Sequence, residues 1–285
     1  MDFCFFDYLF KFILQLTVIF IPIGGLKGHI YFCIIKLLYI AKYRKAKKME
    51  NIKREMIAYW SQRVDEFSAQ RCREFQSPKR RLWIEEFQRY FSMDAPLRIL
   101  DVGTGTGFFA NILALEGHDV VGIDLTEHMI AEAKRKSALY HVPSAFYVMD
   151  AERPEFPDAS FDVVISRNLT WALPNLGKAY RAWRRVLKDG GLLLNFDADY
   201  CHERADMTLP PEHAHQRIAP SLLSEYERMK TVLRRPELRP QRDCELLAEA
   251  GFRDVRVDLS VWKRIYHDVD EFYNPTPIFC IAAYV

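Results

Sequence analysis

Gly103, Gly105 and Gly107 alternate with Thr104 and Thr106 between two acids, Asp101 and Asp124. Glycines at this spacing let a backbone turn tightly and approach a ligand closely. Backbone N–H groups that open a following helix face a polar ligand group. A carboxylate about twenty residues further on, at the end of the next strand, is set to accept hydrogen bonds from two ribose hydroxyls. These residues can bind a nucleoside; by themselves they define no reaction.

The elements that must position them are legible on either side. Leu97–Val102 is a short apolar run of strand type. Phe108–Glu116 has helical spacing, with Phe109, Ile112 and Leu113 on one side, and Gly117-His118 ends it. Val120–Ile123 is a second buried strand that stops at Asp124. Strand, glycine turn, helix, strand and acid make up half of a nucleotide-binding α/β sheet. A dinucleotide fingerprint read from Gly103 fails, because its third glycine falls on Phe108. Read from Gly105, it is met by Gly107 and by Ala110 at the tolerant third place. An NAD-dependent oxidoreductase therefore stays open on spacing alone. No P-loop motif occurs.

Asp101-Val102-Gly103-Thr104-Gly105-Thr106-Gly107 resembles motif I of the class I S-adenosylmethionine-dependent methyltransferases. Three later stretches resemble the same family in the same order. They are Asp124–Met129, then Met149–Glu152 followed by Phe156–Asp162, and Arg185–Gly191, where Asp189 replaces the usual proline. The style is that of the ubiquinone/menaquinone-biosynthesis enzymes, and the resemblance runs from about Tyr59 to the C-terminus. It implies an α/β fold: a Rossmann-like, doubly wound seven-stranded sheet in the order 3-2-1-4-5-7-6. The seventh strand is antiparallel, helices precede the sheet, and a helical insertion precedes strand six. It also implies S-adenosyl-L-methionine as cofactor and in-line methyl transfer to a small-molecule acceptor, or a non-catalytic binding protein of the same fold.

The same resemblance assigns residues. Asp101 holds the methionine end indirectly, and Gly103, Thr104, Gly105 and Gly107 pack against it. Asp124 binds ribose, with Leu125 and Met129 following it in the matched stretch. Asp150 accepts the adenine amino group, and the Ala151 N–H reaches a ring nitrogen. Tyr59, on an aromatic-rich helix over Glu50–Phe75, lies near the methionine end with Trp60 and Arg63. Arg167–Pro174 follows the fourth strand, where open α/β sheets bind ligands. There Arg167 meets the cofactor or a carboxylate, while Asn168 and Trp171 meet the acceptor. Asp197 and Tyr200, at the end of strand five, line the acceptor pocket, and Asp199 and His202 are candidates for a general base. Asp197, Asp199, His202, His213 and His215 match no standard metal spacing, so no metal is expected.

The remaining elements follow from pattern. Ser77-Pro78 opens a helix through Phe91, Thr126 caps one to about Ala138, and Lys178–Leu187 forms another. Ala145–Met149, Phe161–Ser166 and Leu192–Phe196 read as strands, and Val255–Val261 with Ile278–Val285 as a closing antiparallel pair.

The 285 residues are 49% hydrophobic, 14% aromatic and 27% charged, enough for one sizeable core. The net charge of +2 is uneven: Met1–Lys48 holds eight basic and two acidic residues, so the remainder stands at −4. That balance gives no support for nucleic-acid binding. Residues 1–48 are apolar and AT-codon-like. They read as a mis-called start or dispensable leader before Met49, or alternatively as a membrane anchor. Residues 49–285 read as the methyltransferase domain, with 203–240 as its substrate cover. Six scattered cysteines without a C-x-x-C suit a reducing cytoplasm. The alternative location is the cytoplasmic face of a membrane, through residues 1–48.

Overall fold

The structure is a computed structural model that describes residues 26–202, 218–266, 268–273 and 275–285. The chain divides into two compact units after Asn51. A single helix, α1 (Leu26–Gln76), begins in the first unit and runs into the second. It starts well before the Glu50 that aromatic spacing suggested. Among the described residues no helix is long and apolar enough to cross a membrane. The apolar stretch up to residue 25 lies outside the described residues.

The second unit is an α/β sheet. Its elements are α2 (Lys79–Phe87), β1 (Arg98–Val102), α3 (Phe108–Leu115), β2 (Asp119–Asp124), α4 (Glu127–Tyr140) and β3 (Ala145–Val148). There follow β4 (Phe161–Arg167), α5 (Leu176–Val186), β5 (Leu187–Asp197), α6 (Pro220–Leu233), α7 (Gln241–Glu249), β6 (Arg253–Asp258), α8 (Val261–Ile265) and β7 (Phe279–Tyr284). The seven strands lie in the order β3-β2-β1-β4-β5-β7-β6. β7 runs antiparallel to both its neighbours, and the remaining pairs are parallel. This is the order and sense that the resemblance implied.

Alternation along the strands builds two cores, one on each face. Ile99, Val163, Ile165, Leu194 and Phe196 join Trp83, Phe87 and Phe109 on one side. Leu100, Val102, Val164, Leu193 and Ile281 join Tyr180 and Trp183 on the other. β2 packs so closely that a Cβ on Gly122 would lie 2.6 Å from the Phe146 ring and 2.8 Å from Thr104 Oγ1. Glycine there brings β3 and the turn after β1 together.

Three local expectations shift. α2 ends at Phe87, before the expected Phe91. Val261 opens α8 instead of ending a strand, because the Asp258 carboxylate accepts the Ser260 N–H (2.7 Å) and turns the chain. Thr126 stands at the N-cap of α4, but its side chain makes no capping bond to the helix.

Candidate functional site

The turn after β1 is tied down from two sides. Gly103 N and Thr104 N both donate to Ile123 O, at 2.8 and 2.9 Å, so the turn lies over the end of β2. Gly103, Gly105 and Gly107 have φ of 71°, 53° and 81°, the left-handed region that other residues enter at a cost. Asp101 Oδ2 accepts from Thr104 Oγ1 (2.7 Å) and from Ala110 N (3.2 Å), which joins the turn to α3. Burial of this carboxyl pushes its pKa up to about 7, against those two bonds, which favour the charged form. Asp124 Oδ2 accepts from Gly105 N (3.1 Å) and Oδ1 from Thr126 N (2.9 Å). Burial raises the Asp124 pKa as well. Each carboxylate oxygen has a second lone pair, so the group can still accept from a ligand.

A cavity of about 730 Å³ lies against this turn, within the roughly 300–1,000 Å³ usual for small-molecule sites. Asp101, Gly103, Thr104, Gly105, Asp124, Leu125 and Met129 line it from the β1 and β2 ends. Asp150 and Ala151 line it beyond β3. Arg167, Asn168, Trp171 and Tyr200 line it from beyond β4 and β5, and Tyr59 from α1. Asn168 has φ of 53°, a conformation asparagine tolerates better than most residues, and its N–H donates to Phe196 O (2.8 Å).

Four candidates fall outside the cavity wall. Gly107 is the N-cap of α3, and a Cβ there would press on Asn111, Ala133 and Phe146 at 3.1–3.2 Å. Its glycine serves helix packing. Asp197 is fully buried and supports the segment after β4 from behind instead of facing the cavity. Its Oδ2 accepts from Trp171 N (2.8 Å), from the Thr170 hydroxyl and from Arg239 Nη1 (3.2 Å). Arg239 also bonds Asp243 through Nε (2.8 Å) and Nη2 (2.6 Å), and Tyr180 O–H donates to Asp243 (2.6 Å). Asp199 and His202 bond each other, Oδ1 to Nδ1 at 2.7 Å, and Asp199 Oδ2 accepts from Arg239 N (3.2 Å). His213 and His215 lie outside the described residues.

Arg167 faces the cavity but already holds a carboxylate of the chain. Its Nη2 donates to Glu74 Oε1 (2.7 Å) and to the Tyr266 hydroxyl, and its guanidinium lies 4.7 Å from the Trp83 ring. Arg71 pairs with the other oxygen of Glu74. Burial works against ionisation of Glu74, but the two arginines outweigh it and hold its pKa below the ordinary value. Arg167 Nε and Nη1 and Arg71 Nε are buried without a hydrogen-bond partner.

Several cavity residues escaped the sequence reading. Lys53 Nζ bonds Asp150 Oδ2 (2.8 Å) and Glu152 Oε2 (2.9 Å). Arg71, Tyr226 and Lys230 also line the cavity. Phe67, Arg71 and Glu74 share helical three- and four-residue spacing, the one signal that pointed to them. Tyr226 and Lys230 lie in the 203–240 stretch expected to cover the substrate, where helical period singled out neither side chain.

Residues 100–195 match a family model described as a methyltransferase domain. The chain is 33% identical over 131 residues, 46% of its length, to phosphoethanolamine N-methyltransferase 3 of Arabidopsis thaliana, covering 26% of that protein. It is 40% identical over 106 residues to the demethylmenaquinone methyltransferase of Thermus thermophilus, covering 35% of this chain and 46% of that one. The chain thus spans less than half the length of these relatives. An S-adenosylmethionine-dependent methyltransferase from Mesorhizobium loti superposes with a TM-score of 0.52 at 17% identity, over 72% of this chain and 98% of that one. Phosphoethanolamine N-methyltransferase 2 of Haemonchus contortus, solved with phosphomonomethylethanolamine and S-adenosylhomocysteine, gives 0.52 at 22% identity, over 70% and 51%. Both likenesses are of fold.

Proposed function

We propose that this chain, which carries a class I S-adenosylmethionine-dependent methyltransferase domain, transfers a methyl group from S-adenosylmethionine to a small-molecule acceptor. One observation carries the reading: the turn after β1, Asp124 and Asp150 line the same cavity as Asn168, Trp171 and Tyr200. A donor half and an acceptor half therefore share one space.

The residues present fit the donor. Thr106 Oγ1, on the cavity wall, and Arg71 Nε are buried polar atoms without a partner. In this reading Asp124 takes the ribose hydroxyls, and Asp150 with the Ala151 N–H takes the adenine edge. Gly103–Gly105 lie against the methionine end, with Asp101 behind them, and Tyr59 and Arg71 approach it from α1. Bound there, S-adenosylmethionine supplies a methyl group on a sulfonium that is already an activated leaving group. The chain's own part is alignment and exclusion of water. Tyr59 and Trp171, buried yet on the cavity wall, supply apolar cover. A base is required only where the acceptor must lose a proton. The Asp199–His202 pair would serve there only after moving into the cavity.

Residues 49–285 are taken as the domain and 203–240 as its cover, a reading supported within 218–240 by Tyr226 on the cavity wall, while 203–217 lie outside the described residues. A cytoplasmic location accords with the unpaired thiols of Cys72, Cys201, Cys244 and Cys280. Calorimetric titration with S-adenosylhomocysteine tests the donor site. Micromolar binding is expected, about −8 kcal/mol. Asp124→Ala should weaken it by about 1.5–3 kcal/mol, the worth of a charge-assisted hydrogen bond. Binding of NAD in its place would return the chain to the oxidoreductase reading, and donor binding without turnover on any acceptor would leave a binding protein.

A further inference from the structure

The acceptor half of the cavity is walled by rings. Trp171 meets Tyr200 and Tyr226 edge-on, with centroids 5.7 and 5.5 Å apart. Tyr226 lies nearly parallel to Tyr59 at 5.7 Å. All four rings are buried yet line the cavity. Polar handles on three of them are engaged with the protein. The Tyr59 hydroxyl accepts from Arg63 Nη1 (2.8 Å), Tyr200 O–H donates to Asn168 Oδ1 (2.9 Å), and Trp171 Nε1 donates to Asn168 O (3.1 Å). What this wall offers is ring surface rather than a lattice of hydrogen bonds, which suits a flat, apolar body.

Charge narrows the class further. Aromatic walls are the usual means of holding a ligand ammonium, through attraction to the ring faces. Here the chain's own cations already take that place. Arg63 lies 5.8 Å from the Tyr59 ring centroid and Lys230 5.3 Å from that of Tyr226, and both line the cavity. Arg63 pairs with Glu66 (3.1 Å), which lies off the wall, and Lys230 pairs with Glu227 (3.0 Å), which lies on it. An ammonium-bearing acceptor would meet like charge at these rings. The wall carboxylates Asp101, Asp124 and Asp150 come from the strand-end side, whereas Arg63 and Lys230 come from α1 and α6. On the donor side these carboxylates share the wall with Lys53, Arg71 and Arg167, so charge there is balanced, whereas the acceptor half sets two cations, Arg63 and Lys230, against one wall carboxylate, Glu227.

We infer that the methyl acceptor is a planar aromatic molecule carrying a carboxylate, its ring seated against Trp171, Tyr200 and Tyr226 and its charge matched by Arg63 and Lys230. The inference rests on the donor reading above. It sets this chain apart from amine acceptors of the phosphoethanolamine kind.

Three ligands with one ring test it: 3,4-dihydroxybenzoate, catechol and 3,4-dihydroxyphenethylamine, anionic, neutral and cationic in turn. Each is titrated into protein saturated with S-adenosylhomocysteine, with phosphoethanolamine as the ringless comparison. The benzoate should bind about tenfold or more tightly than catechol, and the amine more weakly than catechol. Arg63→Gln and Lys230→Gln should each shrink the preference of benzoate over catechol. Equal binding of benzoate and catechol, tighter binding of the amine or of phosphoethanolamine, or binding by none of the rings overturns the inference. Failure of S-adenosylhomocysteine itself to bind is a separate outcome that overturns the donor reading first.

Discussion

Asp101 should make donor binding depend on pH in a defined way. The carboxyl is 2% exposed, and burial lifts it from the ordinary 3.8 to about 7. That displacement corresponds to about 4 kcal/mol against the ionised form. Between roughly pH 4 and pH 7 the folded chain keeps a proton that the unfolded chain has released. Its contribution to stability therefore falls as pH rises through that window and is level above about pH 7. A ligand whose ammonium comes near this carboxyl favours the ionised form. S-adenosylhomocysteine, oriented as proposed, brings an ammonium to the turn beside Asp101. The logarithm of its association constant should then rise with pH, with a slope approaching one per pH unit below about pH 7, and flatten above it. Calorimetry from about pH 5.5 to 8.5, in buffers of different ionisation enthalpy, measures both the slope and the proton released. Asp101→Asn keeps an acceptor for Thr104 and Ala110. It should abolish the slope, weaken binding near pH 8 by about tenfold or more, and raise the stability of the free protein there. Binding constants independent of pH in the unaltered chain would mean that Asp101 does not release its proton when the ligand binds. A slope that survives in Asp101→Asn would transfer the proton to another group, with Asp124 the first to examine.

Other perturbations have equally definite outcomes. Glu74→Gln leaves Arg167 and Arg71 without their buried carboxylate and should cost about 3–5 kcal/mol in urea unfolding; a loss near zero would show that the pair is not holding α1 to the sheet. Gly122→Ala places a methyl 2.6 Å from the Phe146 ring. It should cost about 1–3 kcal/mol, and weaken S-adenosylhomocysteine as well by displacing Thr104; unchanged stability and affinity together would show that β2 yields there. Arg239→Met strands Asp197 and Asp243 and should loosen the backbone around Trp171, so hydrogen exchange at the Trp171 N–H should accelerate, and unaltered protection would contradict the supporting role given to that network.

The relation between sequence and structure differs from one part of this chain to another. Contacts close in sequence were legible. β1, the turn, α3 and β2 fall where apolar runs and glycines put them, and Asp124 binds the turn because it ends the adjacent strand. The sheet order was implied by the resemblance of the later motifs, and the strands obey it. Side chains whose partners come from far along the chain were not legible. Nothing near Arg167 shows that it would meet Glu74, 93 positions earlier, and nothing near Asp197 shows that Arg239 would reach it. Both residues have the type and position of ligand contacts, yet a buried charge must find a partner, and these found theirs in the protein. Gly107 fits the motif, but its surroundings give it a packing duty.

By itself, then, the sequence determined the α/β scaffold and the donor-side turn, because both depend on backbone conformation and strand burial, which local residue types dictate. Packing decided which side chains join Trp171 and Tyr200, both expected beside an acceptor, on one cavity wall. It brought Tyr59 and Arg63 from α1, Trp171 and Tyr200 from the strand ends, and Tyr226 and Lys230 from α6 onto one wall. Their common surface has a charge and shape only when the helices have packed, and no local pattern encodes which distant rings and cations will share a cavity.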